Sequence, residues 1–515
     1  MSALRGGVRF ESAVDTLRAT PRRVWWTSFV LVALLSALWG IANPPFAAPD
    51  EPAHVLRAYA LAHGDLTGNT PTRQQVRRLG LTDRDDYLVV RAPAVYATAS
   101  RACFAGNGNR TAACLRFGHS ERLTEQGTYV ARHPPGYYAL VGPITWFVPD
   151  GSAAVHVMRL IGAVITGAFV ATAITALRRA GATRVVAVGL AIAITPMVLF
   201  VSSVVNPSAL EIAAAIAVWV CGYLLVRSAA ERVDRRLVTA VGIAGCVLAL
   251  SRQLGPLWLG LIALTLLGVS NRDGLHNLAR STWARVWAAS IVVASLVQVG
   301  WDVIVKPLDV TRSGNSPVNI GTTEVLRITF GRTFPRYREM IGSFGWLDTP
   351  APALTWLPWT ILLGLLVVAV VLWSTRRQVA VLLGLLAATI IVPAVIETPT
   401  YADAGTLTWQ GRYTLPLAIG VPILAAGMLS TSERGRQLVN SRLVWTAGVV
   451  LAGAQIVAFG QNLRRYTVGT DGPIAFWGSA RWSPPLPRLF LIVVFAAVTI
   501  AFVWWLLVAV TSSEA

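Results

Sequence analysis

Residues 24–41, VWWTSFVLVALLSALWGI, run directly into Asn43-Pro44-Pro45-Phe46 and then Asp50-Glu51-Pro52-Ala53-His54. The first part holds no charged residue and is about the length that one helix needs to cross a bilayer. The two prolines after Asn43 end such a helix, because the first restricts the residue before it and neither can donate a backbone hydrogen bond. Two carboxylates, an imidazole and, shortly after, Arg57 are therefore expected at the membrane surface, where charge is costly and has a task or a partner. A short helix starting at Asp50 would carry His54 and Arg57 on its face at i+4 and i+7. An acid, an imidazole and a cation at headgroup depth suit chemistry on a substrate carried by a lipid.

The whole chain agrees with that start. Its 515 residues are 54% hydrophobic and 13% charged, with mean hydropathy +0.57. That balance belongs to an all-α polytopic membrane protein and not to a soluble globular one. Apolar runs lie near 24–42, 152–177, 185–203, 208–227, 237–252, 254–270, 284–304, 355–375, 379–397, 413–430, 443–460 and 488–510. They predict about twelve transmembrane helices, or thirteen if Tyr137–Val148 also crosses. That segment is short and follows two prolines, so it is read as a partly inserted or interfacial helix.

The net charge of +19 does not point to nucleic acid. The arginines cluster in short connectors, at Arg22-Arg23, Arg178-Arg179 with Arg184, Arg232 with Arg235-Arg236, Arg376-Arg377, and Arg434 with Arg436. This is the positive-inside pattern. It puts residues 1–23 and the 511–515 tail in the cytoplasm of a bacterial plasma membrane, with the first span (24–42) a retained anchor rather than a cleaved signal. Residues 43–151 become a large extracytoplasmic loop, expected as a cap of short interfacial helices, followed by spans within 152–304. Residues 305–354 form a second such loop with an amphipathic helix over Thr322–Ile341, and 355–510 hold the remaining spans. Cys221 and Cys246 fall in apolar runs, whereas Cys103 and Cys114 share the first loop and are the candidate disulfide pair. Neither a Walker motif nor a Cys/His zinc spacing is present.

Each motif has a plain alternative. Asp50 and Glu51 after Pro49 suit a helix N-terminus. As functional groups, one would act as general base on an acceptor hydroxyl, or help hold a divalent cation, Mg or Mn, the one cofactor left open. His133-Pro134-Pro135-Gly136-Tyr137-Tyr138 is either a rigid entry into the membrane with interfacial tyrosines or a device that fixes His133 as a donor to phosphate. Gln410-Gly411-Arg412-Tyr413 precedes a span on the outer side, where Arg412 either snorkels to headgroups or grips a lipid phosphate with its planar fork. Arg159, Asn206, Glu211, Arg252 and Asp302 are further polar residues near the outer edge, and helix pairing explains many such groups.

Taken in order, Pro44-Pro45, Pro49 through His54, His133-Pro134-Pro135, Asn206-Pro207, Gly345-Trp346-Leu347-Asp348 and Gln410 through Tyr413 resemble the DUF2142 family of bacterial membrane proteins. The resemblance runs from the first span to Arg412. That family is similar to the GT-C superfamily of membrane glycosyltransferases, which use polyprenyl-phosphate sugars and carry an acidic residue just after the first span. The resemblance implies a GT-C-like fold, with Asp50 as catalytic base and Glu51 as its fallback or as a metal ligand. It also implies His133 near the donor phosphate and Arg412 neutralising the departing phosphate, with His54, Arg57, Gln410 and Tyr413 as supporting substrate-binding residues. Ser208 stands where a second acid is often expected, which weakens a two-carboxylate site. The arginine-rich composition suits an actinobacterial source.

The function expected is transfer of a sugar from a polyprenyl-phosphate donor to a cell-wall glycan or another envelope acceptor on the outer face, with membrane lipids as surroundings. Two rivals differ in class. A transporter or flippase of lipid-linked saccharides predicts charge at mid-depth and broken helices in paired halves. A non-catalytic envelope-assembly protein predicts tolerance of substitution at Asp50, Glu51 and His133.

Overall fold

The computed structural model describes residues 16, 18, 20–81, 87–99, 102–116, 120, 122–306, 321–404, 407–437, 442–478 and 480–510. Most of the 1–23 segment and all of the 511–515 tail lie outside the described residues.

The first span is the helix Pro21–Ala42. Thr20 caps it by accepting from Arg23 N, proline starts it, and Asn43 ends it in an extended conformation (φ −97°, ψ 137°) as the following proline requires. It packs along Gly151–Arg179. At Gly167 a Cβ would lie 3.0 Å from the Phe29 carbonyl oxygen, tighter than an ordinary contact, so glycine favours the close approach of the two backbones. Ser208–Ser228 is almost wholly enclosed by its neighbours. Thr282–Val305 and Ala353–Trp373 are mostly uncovered and expose Leu296, Val297, Ile304, Leu354 and Leu365. Apolar surface on that scale is stable in lipid and not in water.

Among the described residues nine helices are long and apolar enough to cross a membrane, or ten when the bent pair Arg184–Ala193 and Pro196–Ser202 counts as one. The expected run 185–203 is therefore broken, at 59°. Thr195 Oγ donates to the Met340 carbonyl (2.8 Å), and Gln455 Nε2 donates to the carbonyl of Ile194 (2.9 Å), so the break is tied to its surroundings. The expected spans 237–252 and 254–270 form helices of 17 and 15 residues, Arg235–Ser251 and Gly255–Val269. At 1.5 Å per residue they reach ~25 Å and ~23 Å, short of a ~30 Å hydrocarbon core. The run 237–252 closes at Arg252, whose extended backbone (φ −154°, ψ 168°) divides the two helices. Tyr137–Val148 does not supply a thirteenth span. It is a six-residue helix, Gly136–Val141, followed by a 3-10 turn, Gly142–Trp146.

The first large loop has its own core, built on Phe46, Val55, Leu56, Val90, Tyr138 and Tyr466. It is not made of short helices alone. Leu88–Pro93 pairs antiparallel with Leu123–Thr128, Val90 opposite Gln126. The run Leu88-Val89-Val90 is buried and partly β-branched, which favours a strand. Cys103 and Cys114 are joined in a disulfide with Cα atoms 6.1 Å apart. Thr322–Ile341 is two helices, Thr322–Gly331 and Thr333–Ile341, and not one amphipathic helix.

Candidate functional site

Asp50 immediately precedes the helix Glu51–Ala62, but it does not cap it. Its backbone is left-handed (φ 69°, ψ −10°) and its side chain makes no cap hydrogen bond. A non-glycine residue in that region is strained, and such strain concentrates at functional sites. The turn aims the carboxylate away from the helix end. Oδ1 accepts from the Tyr129 hydroxyl at 2.5 Å, and Oδ2 accepts from Arg412 Nη2 at 2.5 Å. Arg412 is 1% exposed and Asp50 23%, so the pair has one buried and one accessible member.

Glu51 turns the other way and is fully buried. Arg159 Nε and Nη2 each donate to its carboxylate at 2.8 Å, and the Val205 N–H donates to Oε1 at 2.9 Å. Arg159 also donates to the carbonyls of Gly40 (3.1 Å), Asn43 (3.1 Å) and Pro44 (2.7 Å). This network closes the end of the first span onto the Gly151–Arg179 helix. Glu51, expected as fallback base or metal ligand, is buried and accepts three hydrogen bonds, two from a bidentate guanidinium and one from a backbone N–H. The two carboxylates do not converge, and among the described residues no group of three or more His, Cys, Asp or Glu side chains is placed to hold a metal ion. Asp50 and Glu51 therefore do not fit a shared divalent-cation site.

His54 lies one turn along the same helix, with Nδ1 2.8 Å from the Tyr138 hydroxyl and its ring centroid 6.0 Å from that of His133. Burial, then the Arg252 and Arg412 charges, hold His54 well below the ordinary histidine value. His133 is held down by burial first, then by His54 and Arg252. Both rings are therefore neutral near pH 7. The Nδ1 of His133 is buried with no hydrogen-bond partner among the described residues. Tyr129 is pushed well above its ordinary value, chiefly by burial and then by Asp50, and remains a phenol that donates.

Arg57, expected to bind substrate, is fully buried and donates to the backbone carbonyls of His133 (3.0 Å) and Asp65 (3.3 Å), with its guanidinium 5.5 Å from the Tyr138 ring centroid. It holds the His-Pro-Pro turn against the cap. Spacing put Arg57 on the face of Asp50, but the neighbouring carbonyls captured it.

Arg412 begins the Gly411–Thr431 span, and carboxylates fix the backbone that leads to it. Glu397 accepts from the Trp409 N–H (2.6 Å) and Glu339 from the Gly411 N–H (2.7 Å), while Trp409 Nε1 donates to Thr414 Oγ (2.9 Å). A Cβ on Gly411 would lie 2.4 Å from the Arg336 carbonyl oxygen, so only glycine fits there. Arg336 in turn pairs with Glu397. The Arg412 guanidinium lies 5.2 Å from the Tyr413 ring centroid, and that of Arg252 lies 4.5 Å from the same ring. Ser208 Oγ accepts from Arg252 Nη1 at 2.7 Å, and Glu211 is 3.8 Å away. Gln410 contributes its carbonyl to the Tyr413 N–H (3.0 Å), and its side-chain Oε1 is buried without a hydrogen-bond partner among the described residues.

The structure thus brings Asp50, His54, His133, Arg412 and Tyr413 into one neighbourhood and sends Glu51 and Arg57 into the scaffold. It adds Tyr129 and Tyr138 as partners of Asp50 and His54, and it gives Arg252 a place against Tyr413. Tyr129 carries no local sequence signal. Arg252 did, as a charge closing an apolar run. The Gly345–Asp348 motif is structural: Asp348 pairs with the buried Arg465 at 2.6 Å, and Arg465 also donates to the carbonyls of Phe104, Asn107 and Arg110 beside the disulfide.

A family model described as a predicted membrane protein, DUF2142, matches residues 33–421. No curated protein matches the sequence. Among solved structures, ArnT from Cupriavidus metallidurans in the apo state aligns at 16% identity over 95% of this chain and 77% of its own, with a TM-score of 0.45. The same protein bound to undecaprenyl phosphate aligns at 16% identity over 94% and 76%, with a TM-score of 0.42.

Proposed function

We propose a function on the premise that this chain belongs to the DUF2142 family of predicted membrane proteins: it is a GT-C-like membrane glycosyltransferase that moves a sugar from a polyprenyl-phosphate donor to a cell-envelope acceptor. The observation that carries this reading is the strained, partly exposed Asp50, whose carboxylate meets Tyr129 and the buried Arg412. A base and a phosphate-binding cation then stand side by side at the end of the first span.

In this reading Asp50 takes the proton of the acceptor hydroxyl as its oxygen attacks the anomeric carbon. The new C–O bond forms while the bond to the donor phosphate breaks, and its electron pair leaves on a phosphate oxygen. Arg412 and Arg252 stabilise that charge, and a single displacement inverts the anomeric centre. Tyr129 holds the carboxylate in position. Neutral His54 and His133 supply hydrogen-bonding groups without adding a charge. No step is assigned to a metal ion. The reading puts this end of the bundle on the outer face.

The transporter reading draws on the bent pair at Ile194–Thr195. Among the described residues it is the one such pair, and a transporter of repeated halves predicts a counterpart. The deciding experiment measures transfer from a radiolabelled polyprenyl-phosphate sugar by Asp50→Asn protein in membranes. Loss of transfer with normal folding supports the assignment, and full activity overturns it.

A further inference from the structure

The bundle carries a cationic cavity at the end away from Asp50. There the Pro21–Ala42 helix begins and the helices Gly151–Arg179 and Ser208–Ser228 end. Between them lies a cavity of ≈ 490 Å³ lined by Arg22, Arg179, Arg232 and Arg236, with Trp25 and Leu237 among its apolar walls. Among the described residues none of these four guanidiniums has an ion-pair or side-chain hydrogen-bond partner. Asp234 is the one acidic residue of the lining, and its Oδ1 accepts from the Arg236 N–H at 2.8 Å as a helix cap. Four like charges around one void repel each other, and an anion relieves that repulsion. Guanidinium forks match phosphate oxygens.

The chamber is not closed off. It shares Thr172, Arg236 and Ala240 with a second hollow of ≈ 420 Å³ that passes Thr239, Ile243 and Trp283. Ile243 and Trp283 are 48% and 41% exposed on the outside of the bundle, where a membrane protein meets lipid. A cationic head chamber that continues into an apolar groove fits an anion attached to an acyl chain and not a soluble phosphate. The first span separates it from Asp50 by ~33 Å of helix, so it faces the opposite leaflet.

We propose that this chamber binds an anionic glycerophospholipid of that leaflet. The phosphate lies among Arg22, Arg179, Arg232 and Arg236, and one acyl chain runs over Ile243 and Trp283. Pattern alone accounts for these arginines as topology signals, but it does not require them to surround one void that opens onto an apolar groove.

The test is native mass spectrometry of the purified full chain in detergent with added phosphatidylglycerol, phosphatidylcholine or inorganic phosphate. Retention of phosphatidylglycerol alone is expected, and it should weaken roughly fivefold for each arginine removed in Arg179→Gln and Arg236→Gln. Arg376→Gln removes an exposed arginine from another connector and should leave retention unchanged. The proposal is overturned by equal retention of phosphatidylcholine, by displacement of the lipid with inorganic phosphate, or by an equal effect of Arg376→Gln. Should the double variant fail to fold, Arg232→Gln and Trp283→Ala report separately on headgroup and chain, and unchanged retention in both overturns the proposal.

Discussion

Asp50 and Glu51 are neighbours in the chain, yet their carboxylates meet different guanidiniums: Asp50 faces the Arg412 of a late span and Glu51 the Arg159 of an early one. The left-handed turn at Asp50 separates them. Asp50 remains partly exposed, whereas Glu51 is sealed in a pair 2% and 0% exposed.

Substitution at the two acids should therefore fail in different ways. Glu51→Gln leaves Arg159 buried without its counter-charge and should cost about 3–5 kcal/mol of stability, seen as a lowered thermal midpoint in detergent. Asp50→Asn should keep that midpoint within a few degrees and lower sugar transfer by about 100-fold or more. A Glu51→Gln protein as stable as the parent would contradict the structural role of that pair.

Arg252→Gln removes a cation from the Tyr413 ring and from Ser208. If Arg252 helps bind the donor phosphate, KM for the lipid-linked sugar should rise about tenfold, the scale of one charge-assisted hydrogen bond. Ser208→Ala, which only loosens Arg252, should act in the same direction and by less. Steady-state kinetics with the two variants checks both the direction and the order.

The two buried histidines predict a pH dependence of stability. Their folded values lie well below the ordinary one near 6.5. The unfolded chain therefore binds protons that the folded state refuses. Stability is complete above about pH 6.5 and falls as the pH drops below it, by up to ~1.4 kcal/mol per pH unit for each histidine. Thermal unfolding between about pH 8 and pH 5 should show a flatter profile for a His54→Gln, His133→Gln protein. Equal slopes in parent and variant would refute this.

The Cys103–Cys114 disulfide closes the loop whose carbonyls hold Arg465. Replacing both cysteines by serine should cost about 2–3 kcal/mol, the range for so short a loop, and reduction of the parent should match it. Midpoints that are the same with and without reductant would rule out a stabilising role for the bridge.

Much of this was legible in the order of residues. Asn43-Pro44-Pro45 ended the first helix through local chemistry, because a pre-proline restriction acts within a few residues, whereas its start lay a turn ahead of Val24, at the Thr20 cap. The apolar runs marked the later helices that are long enough to span, since hydropathy reports what lipid will accept. It did not report that the run 185–203 bends or that the helices on either side of Arg252 fall short of a full span. The bend at Ile194–Thr195 is tied off by Gln455 and Met340, and the extended Arg252 lies against Tyr413, partners far away in the chain. The strands of the first loop were missed because their pairing joins residues about 35 apart.

The sequence by itself determined a multi-pass helical protein, and its motifs gathered the acids, histidines and Arg412 as candidates. Only the tertiary structure decided their parts. Adjacent acids have the same chemistry until a backbone turn aims each at a different long-range partner, and a carboxylate's role depends on what surrounds it. Glu51 met Arg159 and Val205 and became part of the scaffold. Asp50 met Tyr129 and Arg412 with one side left accessible, because the residues that define its surroundings come from elements up to 362 positions away.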